Sequence, residues 1–553
     1  MIRRAGGLWT SAGLKRALAF LALGFAIVLA SCAKRGPDYR HIPDAATVAN
    51  GGTLTSATGG EASTLNPVLA GDSASADLCD SIFSGLLRYG PQLTLEGDLA
   101  KSWEVEDGGR TIIFHLRPGV KWQDGQPFSS ADAKFTVECI LDPKVPSPVK
   151  SGFDLVASMQ TPDPLTLVVR YKKPFAPALE AWGQGLIPEH LLKGKDLVHD
   201  PFNRAPVGTG PYAFKRWVDK QYVELKANPY YDGGVVHITR QLIRFIPEPA
   251  TQLLELKTGG VDSMTLQPDQ YAHETGDEAF NRVAQKRRFP GLSEYTYLGF
   301  NLARKPFSDL RVRRALSMAI DRQELINGVM DGLARPCSGP YSPLMPAYDP
   351  SVKPMPYDLS QAARLLDQAG WTLGPDGKRR KDGKSLRFTI ITNKGNVPRE
   401  KTVLILQQQF AKLGVDARVQ VIEWSSFLSN FVDKHDFDCV VMGWQLSLDP
   451  DQYSIWHSSQ TGPGQFNFID FKDARCDRLL EEGRTTFDPA KRIAIYRAFH
   501  RRIAELQPLA FLYAPDSLSA LSRRVQGLMV TKTGYGWYAP TRWYIPSSCQ
   551  MAQ

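Results

Sequence analysis

Leu99-Ala100-Lys101-Ser102-Trp103-Glu104-Val105-Glu106-Asp107-Gly108-Gly109-Arg110-Thr111-Ile112-Ile113-Phe114-His115-Leu116-Arg117-Pro118-Gly119-Val120-Lys121-Trp122-Gln123-Asp124-Gly125-Gln126-Pro127-Phe128 contains two tight returns. Trp103 to Val105 and Thr111 to Leu116 flank Asp107-Gly108-Gly109, and Asp-Gly tolerates the positive φ that a hairpin turn needs. Asp124-Gly125 makes a second such turn after Val120-Lys121-Trp122. This section is therefore expected to be compact and β-rich. Ser129 or Ser130 then caps a helix with Asp132 in its first turn, where a carboxylate offsets the positive end of the dipole. A strand, Leu165 to Tyr171, follows the turn at Pro162-Asp163-Pro164.

Upstream, Ala33 to Ala49 reads as a polar tether with Pro37 and Pro43, and Gly52 to Ala57 alternates like a first strand. Glu61 to Pro67 forms a turn, and Asp72 to Leu87 is predicted as a helix with an apolar face of Ala76, Leu78, Ile82 and Leu86. Downstream, Pro177 to Trp182 is helical. Val207-Gly208-Thr209-Gly210-Pro211-Tyr212 is a loop entering the strand Ala213 to Trp217, and strand, helix and strand recur from Gln241 to Met264. A second body begins near Gly291. Tyr295 to Leu302 is a strand, Val312 to Ile326 a helix, Pro336 to Pro346 a loop, and Gln361 to Ala369 a helix stopped by Gly370. Asp382-Gly383 introduces the strand Leu386 to Thr392; Val403, Leu406, Phe410 and Leu413 make one helical stripe closed by Gly414. Val419 to Ile422 and Phe437 to Met442 are short apolar strands. Such alternation predicts a mixed α/β body with largely parallel pairing.

The chain opens with Arg3, Arg4, Lys15 and Arg16, then an uncharged apolar run from Ala17 to Ala30 that ends in Leu29-Ala30-Ser31-Cys32. Charges hold such a segment on the cytoplasmic side, the run is short for a membrane span, and small residues before a cysteine suit cleavage and acylation. Residues 1–31 are thus expected to be a lipoprotein signal peptide, with Cys32 as the lipidated first residue and 32–50 as tether. Everything beyond is expected to be extracytoplasmic and attached to a membrane by lipid, because no second run long enough to span exists. The signal residues account for 4 of the +9 formal charge and leave +5. Basic and acidic residues are interspersed in the remainder, so nucleic acid is not implied as a partner. Cys79, Cys139, Cys337, Cys439, Cys476 and Cys549 are even in number, and either disulfides or buried thiols accommodate them. They form no Cys-x-x-Cys pair, and the histidines have no ligand spacing, so no metal or cofactor is implied.

Catalytic signals are poor. Asp382-Gly383-Lys384-Ser385 lacks the earlier glycine of a phosphate loop, where Lys378 stands, and Ser73 lacks the second glycine of a nucleophile elbow. Carboxylate pairs such as Asp449 and Asp451 are common in turns. The chain is not expected to be an enzyme.

The stretch 99–128 resembles the family 5 extracellular solute-binding proteins, the dipeptide and oligopeptide receptors of ABC importers. Gly208-Thr209-Gly210-Pro211-Tyr212 extends the resemblance, as do Phe300-Asn301 with Pro306-Phe307 and Asp309, Val312-Arg313-Arg314-Ala315-Leu316, Ala319-Ile320-Asp321-Arg322, Gly443-Trp444 and Asp449-Pro450-Asp451. It implies an α/β clamp of two lobes, with a subdomain inserted in the first and the ligand between them. On that basis lobe I comprises 51–68, 184–290 and 508–553, the insertion 69–183 and lobe II 291–507. The crossovers fall near Arg287 to Glu294 and Leu506 to Ala514. Arg117, Asp124 and Gly125 are expected to build the inserted subdomain, and Trp103 and Trp122 to pack its core.

Open α/β sheets bind ligands at strand ends. Contacts are therefore expected from Gly59 to Ser63, Asn393 to Asn396, Trp444 to Leu448 and the Gly208 to Tyr212 loop. The candidate ligand residues are Gly60, Glu61, Asn393, Asn396, Trp444, Gln445, Ser447 and Asp449. Trp444 offers an apolar wall with a polar edge, and the asparagines offer amides to a peptide backbone. Several of the peptide-binding proteins that the chain resembles place an aspartate soon after the tryptophan, for the α-ammonium. This chain has Trp444-Gln445-Leu446-Ser447-Leu448 instead, and Asn393 stands where dipeptide receptors place an arginine for the carboxylate. Both departures argue against tight selection of dipeptide termini. The resemblance thus implies a lipid-anchored, periplasmic or cell-surface monomer that binds oligopeptides and serves ABC permease subunits. A nickel chelate, an oligosaccharide or a sensory role with a peptide signal are the alternatives.

Overall fold

A computed structural model describes residues 37–40, 48–90, 93–528 and 541–550; Cys32 and the signal segment lie outside them. Two large sheets organise the chain. The first has seven strands in the order Ala284–Phe289, Ser517–Ser522, Ser263–Thr265, Thr53–Thr58, Arg240–Phe245, Tyr222–Ala227 and Tyr212–Val218. Thr53–Thr58 runs parallel to both of its neighbours. The second has six, in the order Ala334–Pro336, Leu509–Pro515, Glu294–Phe300, Cys439–Gln445, Arg387–Asn393 and Asp416–Ile422. Only the pairs formed by Arg387–Asn393 are parallel in this sheet. The expectation of largely parallel pairing is corrected here, because the strands on either side of the crossovers, Glu294–Phe300 and Leu509–Pro515, enter antiparallel.

The stretch 99–128 supplies the edge strand Ala100–Glu106 and its neighbour Thr111–Leu116 to a separate four-stranded antiparallel sheet, completed by Thr166–Tyr171 and Val156–Asp163 in that order. Asp107, Gly108 and Gly109 all take positive φ at the first return (51°, 62° and 92°). Trp122 is fully buried beside Phe128, with ring centroids 5.8 Å apart, while Trp103 packs at the cluster's margin. Burial of large side chains of this kind stabilises the fold by about 1.5–3 kcal/mol each. Ser129 and Asp132 form a reciprocal capping box on the helix Ser130–Leu141, which satisfies two otherwise orphaned backbone donors.

Two predicted helices change. The first spans Ser73–Ile82 and stops short of Leu87, because the Ile82 carbonyl accepts the Gly210 N–H at 2.8 Å and ends the ladder there. Its buried face is Ser75, Leu78, Cys79 and Ile82, so Ala76 faces outward. The segment Val312 to Ile326 is two helices, Leu310–Met318 and Arg322–Gly328, since the Asp321 carboxylate caps the second by accepting the Gln323 and Glu324 N–H groups.

The chain passes from the first sheet to the second between Phe289 and Glu294, and returns between Pro515 and Ser517. The return lies just beyond the expected Leu506 to Ala514, because Leu509–Pro515 remains paired with Glu294–Phe300. Asp516, 1% exposed at its side chain, sits in the second crossing and bonds Arg288 of the first sheet (2.6 Å) and Arg335 of the second (2.8 Å). All six described cysteines are free thiols. No helix among the described residues is long and apolar enough to cross a membrane.

Candidate ligand cleft

Thr53–Thr58 of the first sheet and Arg387–Asn393 and Asp416–Ile422 of the second end toward one another, and the segments that follow them meet. A Cβ placed on Gly60 would lie 3.7 Å from Cδ1 of Trp424, and one on Gly395 would lie 3.6 Å from the Pro247 carbonyl oxygen. Lys401 reaches Asp269 at 3.4 Å. On another side the Asp449 N–H donates to Glu180 at 3.1 Å, and Arg484 pairs with Asp154 at 3.5 Å. The cleft is therefore bridged at several points.

Several carboxyls of the chain keep open surface and are nevertheless raised by burial. Asp77 and Asp80 of the helix Ser73–Ile82 are exposed, but burial pushes both carboxyls up to about 6. Asp433 is also exposed and raised by burial, with the charge of Asp72 nearby. Half-buried Glu294 is raised by burial alone, and burial first, then the charge of Asp449, pushes half-buried Glu180 up to about 8. Half-buried Arg399 is lowered by burial.

The sequence candidates fall into two groups. Trp444 is half-buried, stacks on Phe468 (5.8 Å, 27°) and meets Phe466 edge-on (5.3 Å, 70°). Phe466 in turn lies 3.8 Å from a Cβ placed on Gly71, at the entry to the helix bearing Asp77. Gln445 and Ser447 are exposed beside it, and the Ser447 hydroxyl donates to the Asp449 carbonyl oxygen at 3.2 Å. Gly60 lies at the contact with Trp424. Gly60 and Trp444 thus sit beside approaches between the first part of the chain and the second, Gly60 at Trp424 and Trp444 through Phe466 at Gly71.

The others are engaged within the protein. Both Glu61 oxygens accept the Lys220 N–H (3.2 Å each), and one also accepts from Trp217 Nε1 (2.7 Å). Asp449 makes a bidentate pair with Arg492, both contacts at 2.6 Å. Asn396 caps the helix Val397–Ala411 by accepting the Arg399 N–H at 3.1 Å. Asn393 is buried, and its Oδ1 accepts from Arg399 Nη1 at 2.9 Å. The Gly208 to Tyr212 loop is structural: a Cβ on Gly208 would fall 2.0 Å from the Ile82 carbonyl oxygen, so glycine is needed for the loop to seat on that helix end. Gly443 has a similar reason, since a Cβ there would lie 3.0 Å from Arg399 Nη2 and 3.1 Å from the Tyr295 carbonyl oxygen.

Sequence reasoning did not find Asp77, Asp80, Glu180, Glu294 or Arg399. The acidic i, i+3 spacing of Asp77 and Asp80 was a usable signal, but acids on a helix face ordinarily meet solvent. The remaining three reach the cleft only through tertiary placement.

The model of the bacterial extracellular solute-binding proteins, family 5 Middle, matches residues 94–466. The chain belongs to this family. It is 31% identical over 489 residues to the oligopeptide-binding protein AppA of Bacillus subtilis, covering 86% of this chain and 89% of that one. The structure of B. subtilis AppA in complex with a nonapeptide superposes with a TM-score of 0.85 at 29% identity, over 90% of this chain and 100% of AppA. NikZ from Campylobacter jejuni in complex with Ni(L-His) gives 0.80 at 29% identity, over 89% and 99%. The chain is thus a two-lobed α/β protein of a family of solute-binding receptors.

Proposed function

We propose that this family 5 protein is a lipid-anchored substrate-binding component of an ABC importer that takes oligopeptides between its lobes and delivers them to the permease. The likeness to AppA with its nonapeptide, over nine-tenths of the chain, carries this reading. Residues 51–68 and 184–290, with the chain after Asp516, serve as lobe I. Residues 69–183 are the insertion, and lobe II runs from 291 to Pro515. Gly60, Trp444, Gln445 and Ser447 act as ligand contacts, and Cys32 carries the lipid. Closure removes ligand polar groups from water only where donors and acceptors replace it, at roughly 1 kcal/mol net per hydrogen bond, so micromolar binding near ~8 kcal/mol needs many of them. The hinge selects the filled state.

Native mass spectrometry of protein purified without refolding tests the proposal: a ladder of co-purified peptides is expected. A single metal chelate would instead favour the second reading, a receptor of the kind represented by NikZ with Ni(L-His). Labelling with palmitate, lost in Cys32→Ala, tests the anchor.

A further inference from the structure

Residues 37–40 are strapped to the side of the first sheet. They lie against the helices Pro249–Thr258 and Glu278–Val283, which pack together beside the strands Ser263–Thr265 and Ala284–Phe289. The first of these helices ends at Gly259, whose φ of 81° is the left-handed cap that glycine favours. The same residue gives the Pro37 ring its seat, because a Cβ there would fall 2.9 Å from Pro37 Cγ. Two residues on, the Tyr39 N–H donates to the Arg282 carbonyl oxygen at 2.8 Å, near the end of the second helix. The half-buried Tyr39 side chain packs on the cluster that holds Leu253, Leu256 and Phe280. Arg40 pairs with Asp38 at 2.6 Å and faces Glu278 at 3.7 Å. A solvated tether needs none of these contacts, and Pro37 enters its own with φ already fixed.

Five residue steps separate Cys32 from Pro37 and reach at most about 17 Å. A tether free as far as Gly51 would have nineteen steps and reach about 65 Å. The folded body of about 520 residues has a radius of gyration of about 24 Å. A free tether would therefore let any side of the protein meet a bilayer, whereas the strapped one is shorter than the radius of the body it holds. Resting on the lipid anchor at Cys32 proposed above, we propose that the face made by Gly259, Glu278 and Arg282 stands against the bilayer. The cations of this face are already paired, Arg40 and Arg282 with Glu278 and Lys257 with Asp277, so the strap sets the orientation rather than attraction to anionic lipid. The far end of the second sheet then points away from the membrane. Exposed Lys384 marks that end, since it precedes the strand Arg387–Asn393, whose other end approaches the first sheet through Gly395 and Pro247.

Energy transfer to the bilayer tests the orientation. Full-chain protein matured in bacteria is reconstituted on vesicles of phosphatidylethanolamine and phosphatidylglycerol that carry an acceptor on their headgroups. A donor is introduced through a non-natural residue at Lys384 or at Gly276, which is exposed with open space around it. Transfer from the Gly276 position should be at least about twice that from the Lys384 position, as the size of the body requires. Pro37→Gly with Tyr39→Gly should remove the difference while the protein stays on the vesicles, and Tyr39→Phe, which keeps the ring, should retain it. Equal transfer at both positions in unaltered, vesicle-bound protein overturns the orientation and leaves the anchor standing. A difference that survives the double glycine variant overturns the strap as its cause. Protein that does not float with the vesicles overturns anchor and orientation together.

Discussion

Acidification should close the cleft, and Glu180→Gln should remove most of that response. Glu180 lies on the short helix Ala178–Ala181 and accepts the Asp449 N–H at 3.1 Å. Burial and the Asp449 charge, which Arg492 compensates only in part, push the Glu180 carboxyl from 4.5 up to about 8. When the lobes separate, this contact opens and the carboxyl returns toward its ordinary value. The group is raised in the closed state, so closure takes up a proton. The resulting stabilisation is complete below about 4.5 and is lost as pH rises through about 8. Between pH 5.5 and 7.5 an ideal group would change the closing equilibrium by up to about 100-fold. Glu180 keeps some open surface, which reduces the expectation to about tenfold. The assay is small-angle scattering or interlobe fluorescence transfer across that pH range, on the unaltered protein and on Glu180→Gln, whose amide retains an acceptor for the Asp449 N–H. Asp77 and Asp80 titrate in both proteins, so the difference between the two slopes isolates Glu180. Identical slopes would refute the reasoning.

Trp444→Ala should weaken ligand binding about tenfold while lowering the melting temperature little, because the indole is half-buried against Phe466 and Phe468; a loss of stability matching the loss of affinity would return Trp444 to the core. Asp516→Ala should destabilise the protein by about 1–3 kcal/mol in urea titration, less than a fully buried pair, because Arg288 and Arg335 can recover hydration. Six free thiols mean that a reductant should leave the melting temperature unchanged, and thiol titration should find Cys79, Cys337, Cys439 and Cys476 reactive only after unfolding, since all four are buried.

Local chemistry was legible wherever a turn or a cap decides it. Asp107-Gly108-Gly109 announced a hairpin because positive φ there is a property of the residues themselves, and Ser129 with Asp132 announced a helix start through the reach of their own side chains. Trp122 was placed correctly in the core of the inserted sheet. The direction of pairing in the second sheet was not legible, since apolar strands of the same composition serve parallel and antiparallel neighbours alike. Ala76 misled because it counts as apolar, while the outward face of its helix is set by what packs on the other side.

Sequence by itself determined the family and the order of elements, because each rests on residues adjacent in the chain. Only the tertiary structure decided which charges belong to the cleft. Asp449 and Glu61 read as candidates and are neutralised or tied by Arg492, Trp217 and Lys220, whereas Arg399, which reads as an ordinary helix residue, donates to Asn393. Whether a charge is spent or available depends on partners tens or hundreds of residues away, and folding alone brings those within reach.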